Sequence, residues 1–379
     1  MYMEKSKVAI IECTSYDENK VNDAIEKGIV LIGGIESFVN KDEKILVKPN
    51  LLKAVHPEKA VTTNPKVFGA VLKLLKENGY QNVVYGDSPG AGSSTKLIDA
   101  VKIVGFEDEA NKYNVKLGNF FESVTLDYKE GKAAKKFNIC KEVVDADAII
   151  SICKMKTHAL EKITGAIKNQ YGCIYANAKA LGHAKYPNSS SFSKMLVDLN
   201  NCLKPRLYIM DGIVAMEGNG PASGDAVNMN IILVSSDPVA IDSIYANLVY
   251  VNSKYVPTCV FGEKYGLGNR DLRNIDIVTL NGSITIEEAI IKYGNPNFKV
   301  SRKKTNLWPI TSMFRRIKHK PVVDLDKCIG CGICQNACPV EGKAVHSGNG
   351  KKAVYNYNKC IRCYCCQEMC PAKAISRKD

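Results

Sequence analysis

Short, nearly continuous apolar runs alternate with longer stretches whose apolar positions return at helical spacing. The runs at 8–12, 44–47, 82–85, 148–152, 206–210, 231–234 and 275–280 predict strands. The stretches at 21–38, 96–104, 192–203, 238–249 and 286–293 predict helices. Another helix begins at Thr63-Asn64-Pro65, where a capping side chain precedes proline in the first turn, and runs to Gly79. Asp237 is placed to cap the helix that starts at Pro238. Residues 115–140 read as short strands and turns, an antiparallel patch or insertion. Strands alternating with helices predict an α/β domain, a mostly parallel sheet with covering helices, over residues 1–294, ending at Gly294-Asn295-Pro296.

In such a sheet ligands bind beyond the carboxyl ends of strands. The polar groups expected there are Lys48 and Asn50, Asp87 and Ser88, Lys154, Lys156 and His158, and Asp211 and Glu217. The densest cluster is Lys154-x-Lys156-x-His158, read as following the strand at 148–152, with Thr164-Gly165-Ala166-Ile167-Lys168-Asn169 after it. Glycine and alanine at a helix start admit an anion to backbone N–H groups, and three lysines nearby would neutralise it. Lys156, His158, Lys168, Asp87 and Glu217 are the catalytic candidates; Lys48, Asn50, Lys154, Asn169 and Asp211 are the candidates for binding a small anionic substrate. Glu217-Gly218-Asn219-Gly220-Pro221 is a turn by default, or a lid that carries Glu217. Gly90-Ala91-Gly92 lacks the third glycine of a dinucleotide fingerprint and no phosphate loop occurs, so NAD and ATP are not supported.

Cysteine changes the picture at the other end. Cys328, Cys331, Cys334 and Cys338-Pro339 are followed by Cys360, Cys363, Cys366 and Cys370-Pro371, the C-x2-C-x2-C-x3-C-P run written twice. In that pattern the fourth cysteine of each run serves the other cluster. Cys328, Cys331, Cys334 and Cys370 are therefore expected to hold one 4Fe-4S cluster, and Cys360, Cys363, Cys366 and Cys338 the second. Zinc sites use pairs of ligands rather than quartets, and disulfide frameworks belong to secreted chains. Cys365 is out of register with the run and is not a ligand by spacing. Of the remaining cysteines, Cys13, Cys140, Cys173, Cys202 and Cys259 read as buried small hydrophobes, whereas Cys153 adjoins lysines expected to lower its pKa.

The formal charge of +13 suggests nucleic acid until it is located. Residues 295–320 carry eight Lys/Arg and no Asp/Glu, and residues 321–379 carry nine against five, which leaves +1 for the first 294. Each cluster with four thiolates adds about two negative charges. The excess is then a basic linker at 295–320 holding Trp308 and Phe314, a solvated connector in preference to a membrane-surface or acidic-partner contact, and no nucleic-acid partner is expected. Fifteen cysteines without a signal-peptide pattern fit a reducing cytoplasm.

The last sixty or so residues resemble a two-cluster bacterial ferredoxin, a small α+β domain at 321–379. Lys48-Pro49-Asn50, Asp87-Ser88-Pro89, Lys154-x-Lys156-x-His158, Thr164-Gly165-Ala166-x-Lys168-Asn169, Asp211-Gly212, Glu217-Gly218-x-Gly220-Pro221 and Asp237-Pro238-Val239-Ala240-x-Asp242 together resemble the family catalogued as domain of unknown function three-six-two, often fused to such a ferredoxin. A fainter resemblance is to nickel-dependent lactate racemase, with His158 ahead of Gly165 and Lys168 and with His183 further on; it implies a metal-cofactor enzyme in which Lys168 contacts a cofactor and His158 handles a proton. Three expectations follow. The favoured one is an iron-sulfur oxidoreductase whose ferredoxin passes single electrons to the anionic substrate. The others are an electron-transfer or cluster-handling accessory whose main domain binds a protein partner, a redox protein being one candidate, and the metal-cofactor enzyme. A pocket with perturbed pKa values marks the first, a flat apolar surface the second.

Overall fold

The computed structural model describes residues 5–90, 94–176, 178–300 and 320–378. Most of the basic linker, including Trp308 and Phe314, lies outside the described residues.

The strands of the main domain are β1 (Ser6–Glu12), β2 (Ile45–Lys48), β3 (Val83–Tyr85), β4 (Lys116–Leu117), β5 (Ser123–Asp127), β6 (Lys136–Cys140), β7 (Ala148–His158), β8 (Lys162–Thr164), β9 (Leu207–Glu217), β10 (Asp225–Ser235), β11 (Ile275–Thr279) and β12 (Gly282–Ile284). They build one sheet in the order β12-β11-β1-β10-β9-β7-β2-β3-β4, with β8 added to the outer end of β7 and the β5-β6 hairpin separate. The pairings β1-β11, β7-β9, β2-β7, β2-β3 and β3-β4 are parallel. The sheet is mostly parallel but mixed, because β10 enters antiparallel between β1 and β9. Apolar runs mark strands without direction, so this reversal was not legible in the pattern.

Every residue of β2 and β7 is buried, as befits central strands covered on both faces. Helices flank the sheet in two groups that pack among themselves, Glu18–Leu31, Pro65–Glu77 and Phe106–Lys112 in one, Ser189–Leu203, Pro238–Leu248 and Pro257–Lys264 in the other. Asn64 and Asp237 cap their helices through backbone N–H groups, with proline in the first turn of each. The helix expected over 21–38 ends at Leu31 instead, since Gly33 and Gly34 both take positive φ. Main-domain packing continues past Gly294 to Phe298, which is buried in the same core.

The C-terminal part is a small α+β unit. Strands β13 (Lys320–Val323) and β16 (Ile375–Lys378) pair antiparallel, β14 (Val345–Gly348) and β15 (Lys351–Tyr355) form a hairpin, and the helices Ile333–Ala337 and Cys365–Met369 carry the third cysteine of each run, Cys334 and Cys366. It sits against the main domain. Arg377 donates to the Ala159 carbonyl at 2.6 Å, Lys373 to Gly224 at 2.9 Å, and Asn219 to Ile375 at 3.2 Å, while Gln367 donates to the Asn219 side chain. The turn after β9 is therefore the seat of the C-terminal unit.

Candidate functional site

Strand β7 runs on to His158, so Lys154, Lys156 and His158 belong to the strand and not to a loop after it. Alternation then explains their spacing: residues two apart share a face. Each has been given a different partner. Lys154 lies in register with Asp211 on the neighbouring parallel strand β9, and the two form a buried ion pair at 2.7 Å. Tyr16 O–H donates to the other oxygen of Asp211 at 2.9 Å and accepts from Lys154 at 2.8 Å, and the Asn64 N–H donates to Asp211 at 2.9 Å. This group is closed on itself, and neither Lys154 nor Asp211 lines the cavity of about 790 Å³ described below.

Among the described residues Lys156 is buried without a carboxylate partner, donating to Asn50 Oδ1 and the Val61 carbonyl, each at 2.7 Å. Burial, then the charge of Lys168, pushes its pKa down to about 7. An unfolded chain holds that proton up to about 10.5. Between these values the unfolded state binds more protons, so the contribution of Lys156 to stability rises as pH rises from about 7. Denaturant unfolding at several pH values is expected to show wild type gaining on Lys156→Met through that window; parallel pH profiles count against a lysine neutralised in place.

His158 accepts the N–H groups of Leu160 and Glu161 at Nδ1, both at 3.1 Å. Its proton therefore sits on Nε2, which donates to Glu368 Oε1 at 3.0 Å. Burial, then Lys168, pushes the His158 pKa down to about 4. Burial alone raises the Glu368 carboxyl, but the hydrogen bond from His158 and the charge of Lys168 win and hold it below the usual range. Glu368 stands between Cys366 and Cys370, so this bond ties a strand of the main domain to a cysteine run.

The anion site read into Gly165-Ala166 is filled from within. Asp242 accepts the N–H groups of Ala166 at 2.6 Å and Ile167 at 3.1 Å. A Cβ on Gly165 would overlap the Asp242 carboxylate, which is why glycine stands there. Gly165→Ala is expected to cost at least about 2 kcal/mol in denaturant unfolding; a loss within about 0.5 kcal/mol rules out this packing. Glu217 is likewise not at the cavity. Strand β9 carries it past the sheet centre, where it accepts the Lys299 N–H at 2.9 Å and pairs with Lys299 Nζ at 3.2 Å. The Cys153 thiol lies on the face of β7 opposite Lys154 and Lys156, and burial raises its pKa instead of lowering it.

A cavity of about 790 Å³ opens where the two units meet. From the main domain it is lined by Asn50, Asp87, Lys168, Asn169, Lys179 and His183, together with Lys53, and from the C-terminal unit by Asn336, Cys365, Glu368 and Met369. Lys48 lies behind it, paired with Asp87 at 2.9 Å. Glu368 is engaged by His158. The lysines are less committed: Lys168 and Lys53 make no ion pair among the described residues, and Lys179 donates to the carbonyls of Ser88 and Pro89. Burial pushes Lys179 down to about 8 and His183 to about 4. His183 Nδ1 and one amide atom of Asn169 are buried with no partner among the described residues. Lys179 and Glu368 had escaped the sequence reading.

In the C-terminal unit a second, small pocket is lined by Cys328, Cys331, Cys334 and Cys370, three sulfurs from one run and one from the other. Backbone N–H groups of Ala353, Ala374 and Ala344 donate to the sulfurs of Cys328, Cys370 and Cys338 at 3.3–3.4 Å. Thiolates enclosing a space and accepting amide hydrogen bonds fit an iron-sulfur cluster. Among the described residues no group of three or more His, Cys, Asp or Glu side chains is gathered as a single-ion site.

Residues 45–247 match the family described as domain of unknown function (DUF362), and residues 320–371 match the 4Fe-4S dicluster domain. The chain belongs to the DUF362 family. A thylakoid-associated protein of Synechocystis is 30% identical over 267 residues, 69% of this chain and 79% of its own. Among solved structures, the lactate racemase apoprotein from Thermoanaerobacterium thermosaccharolyticum aligns with a TM-score of 0.41 at 15% identity, over 61% of this chain and 54% of that one. A Thermotoga maritima protein aligns at 0.40 and 13% identity, over 67% of this chain and 60% of its own. This chain thus spans less than two thirds of the length of either solved structure. What it shares with the DUF362 family and the dicluster domain makes it an iron-sulfur protein. Among its described residues no helix is long and apolar enough to cross a membrane.

Proposed function

We propose that the chain is an iron-sulfur oxidoreductase that binds a small anionic substrate in the cavity between its two units and exchanges electrons with it one at a time. The observation that carries this reading is the double lining of that cavity, strand ends and lysines on one wall and the helices of both cysteine runs on the other. When bound, two 4Fe-4S clusters supply single low-potential electrons. The quartets are Cys328, Cys331, Cys334 and Cys370, and Cys360, Cys363, Cys366 and Cys338.

The chain's own residues have separable tasks. Lys168 and Lys53, without carboxylate partners among the described residues, attract the anion, and Lys179 adds to the field. Asn169 and His183 offer polar atoms for its remaining groups. Lys156, near neutrality in pKa, stands one hydrogen bond behind Asn50 and is placed to hold or release a proton toward the cavity. The His158–Glu368 hydrogen bond fixes the two walls against each other. A flat apolar surface would suit an accessory protein, but this is a concave cavity whose lining includes Lys168, Glu368 and the pKa-shifted Lys179 and His183. Such clusters and free thiols suit a reducing compartment, which we take to be the cytoplasm.

The protein, reduced anaerobically and freed of reductant, is mixed with a panel of small carboxylates and oxyanions while the cluster absorbance is followed. At least one is expected to reoxidise it faster than buffer, with saturation. Uniformly slow reoxidation across the panel would sink the reading.

A further inference from the structure

The cavity has two kinds of lining, and they lie at different depths. Its covered side chains are polar: Asp87, Asn169, Lys179, His183 and Glu368 are all buried, with Lys168 half-buried beside them. Tyr171 braces this end. Its ring lies 5.4 Å from that of His183 and 6.0 Å from Lys168 Nζ, and its O–H donates to the Lys179 carbonyl at 2.6 Å. His183 Nδ1 and the amide atom of Asn169, the buried polar atoms left without partners among the described residues, belong to the same end.

The apolar side chains stand farther out. Leu52, Val55, Ile333 and Met369 are half-buried and Ile103 is 45% exposed. Leu52 and Val55 are held in place against Ala60, Val61, Met216 and Ala222. This ledge crosses the junction between the units: a Cβ on Gly90 would stand 3.4 Å from Leu52 Cδ1 and 3.6 Å from Met369 Sδ, so the two side chains border one point from opposite walls. The helices of the two cysteine runs turn the same positions to the cavity, Ile333, Asn336 and Ala337 in the first and Cys365, Glu368 and Met369 in the second. Each of them thus adds an apolar side chain to the ledge. Asp99 and Asn336 are the exposed polar groups of the mouth.

We infer that the anion carries an apolar body: it is an organic carboxylate whose head enters the buried polar end and whose alkyl or aryl part lies along Leu52 and Met369 toward Ile103. A volume of about 790 Å³ is in the range that encloses a drug-sized organic molecule, and an inorganic ion would leave the whole ledge uncovered. The lysines attract the head equally in every member of such a class, whereas burial of the body adds affinity in proportion to its length. This rests on the reading that the cavity binds an anion, and it names the chemical class.

Binding of butanoate, hexanoate and octanoate to the oxidised full-length protein with its clusters is measured by titration calorimetry. Affinity is expected to rise at least about tenfold from butanoate to octanoate, full burial of one methylene being worth about fourfold. Two variants address the ledge, Ile103→Asn, a neutral change at an exposed position, and Gly90→Leu, which sets a side chain between Leu52 and Met369. Both are expected to remove most of the rise and to leave butanoate within about twofold of wild type. Lys168→Ala acts on the head and should lower all three affinities by one common factor, with the rise kept. Iron content and unfolding midpoint near wild type separate a lost ledge from a damaged fold. A flat series, no binding by any member, or a rise unchanged in both ledge variants overturns the inference. If the series is flat while some anion of the panel still reoxidises the reduced protein, the inference alone falls. A rise that both ledge variants abolish, with no reoxidation by any anion, overturns only the oxidoreductase reading.

Discussion

Lys154→Met is expected to destabilise the protein by about 3–5 kcal/mol, because it leaves the Asp211 carboxylate buried without its cation. The pair is fully buried at 2.7 Å, and the remaining partners of Asp211, Tyr16 O–H and the Asn64 N–H, are neutral. Burial pulls the Lys154 pKa down, and the attraction of Asp211 and its hydrogen bond oppose that pull. Removing both charges together, as Lys154→Met with Asp211→Leu, should recover part of the loss, since the uncompensated charge is gone while the Tyr16 O–H and the Asn64 N–H lose their acceptor. Denaturant unfolding of the two variants checks this. If the single variant loses under 1 kcal/mol, or the double loses as much as the single, the closed buried pair is not what holds these strands. Ligand affinity in the cavity should scarcely change in the double variant, because neither residue lines it.

The second large effect belongs to the hydrogen bond between the units. Glu368→Ala removes the acceptor of His158 Nε2–H and leaves a buried donor facing a void. Substrate-dependent reoxidation is expected to fall at least 100-fold, since a displaced wall of about 1 Å is enough for a loss of that order. Glu368→Gln keeps an oxygen at the right place and should restore most of the rate. Iron content and the spectrum of the reduced protein should be near wild type in both, as Glu368 is not one of the eight expected cluster ligands. Equal loss in the alanine and glutamine variants would mean that the negative charge, not the hydrogen bond, is what matters; no loss in either would remove the latch altogether.

The domain plan and the strand-and-helix alternation were legible because apolar period and cap residues survive in one sequence. Direction was not: β10 and β9 look alike whether they run parallel or antiparallel. Lys154, Lys156 and His158 stood out as a cluster, but charged residues after an apolar run read as the strand's end. Their spacing of two was the overlooked sign of a strand that continues. Gly165-Ala166 looked open to an anion because its occupant, Asp242, lies 76 residues away from Ala166. Glu368 is 210 residues from His158, and no local pattern joins them. One internal comparison had the signal: at the same place in the two cysteine runs Asn336 stands opposite Glu368 in sequence, and both line the cavity. Glu217, by contrast, looked functional from its glycine-rich surroundings, whereas those residues seat the C-terminal unit.

The central claim is that both units build one substrate site, and a substitution on each wall tests it most directly. Lys168→Ala alters the main-domain wall and Asn336→Trp fills space from the helix of the first cysteine run. With an anion that reoxidises the reduced wild-type protein, the concentration for half-maximal rate is measured in both variants at matched iron content. The expected result is an increase of at least tenfold in each. If Lys168→Ala alone raises it, or neither does, the cavity between the units is not where the substrate binds.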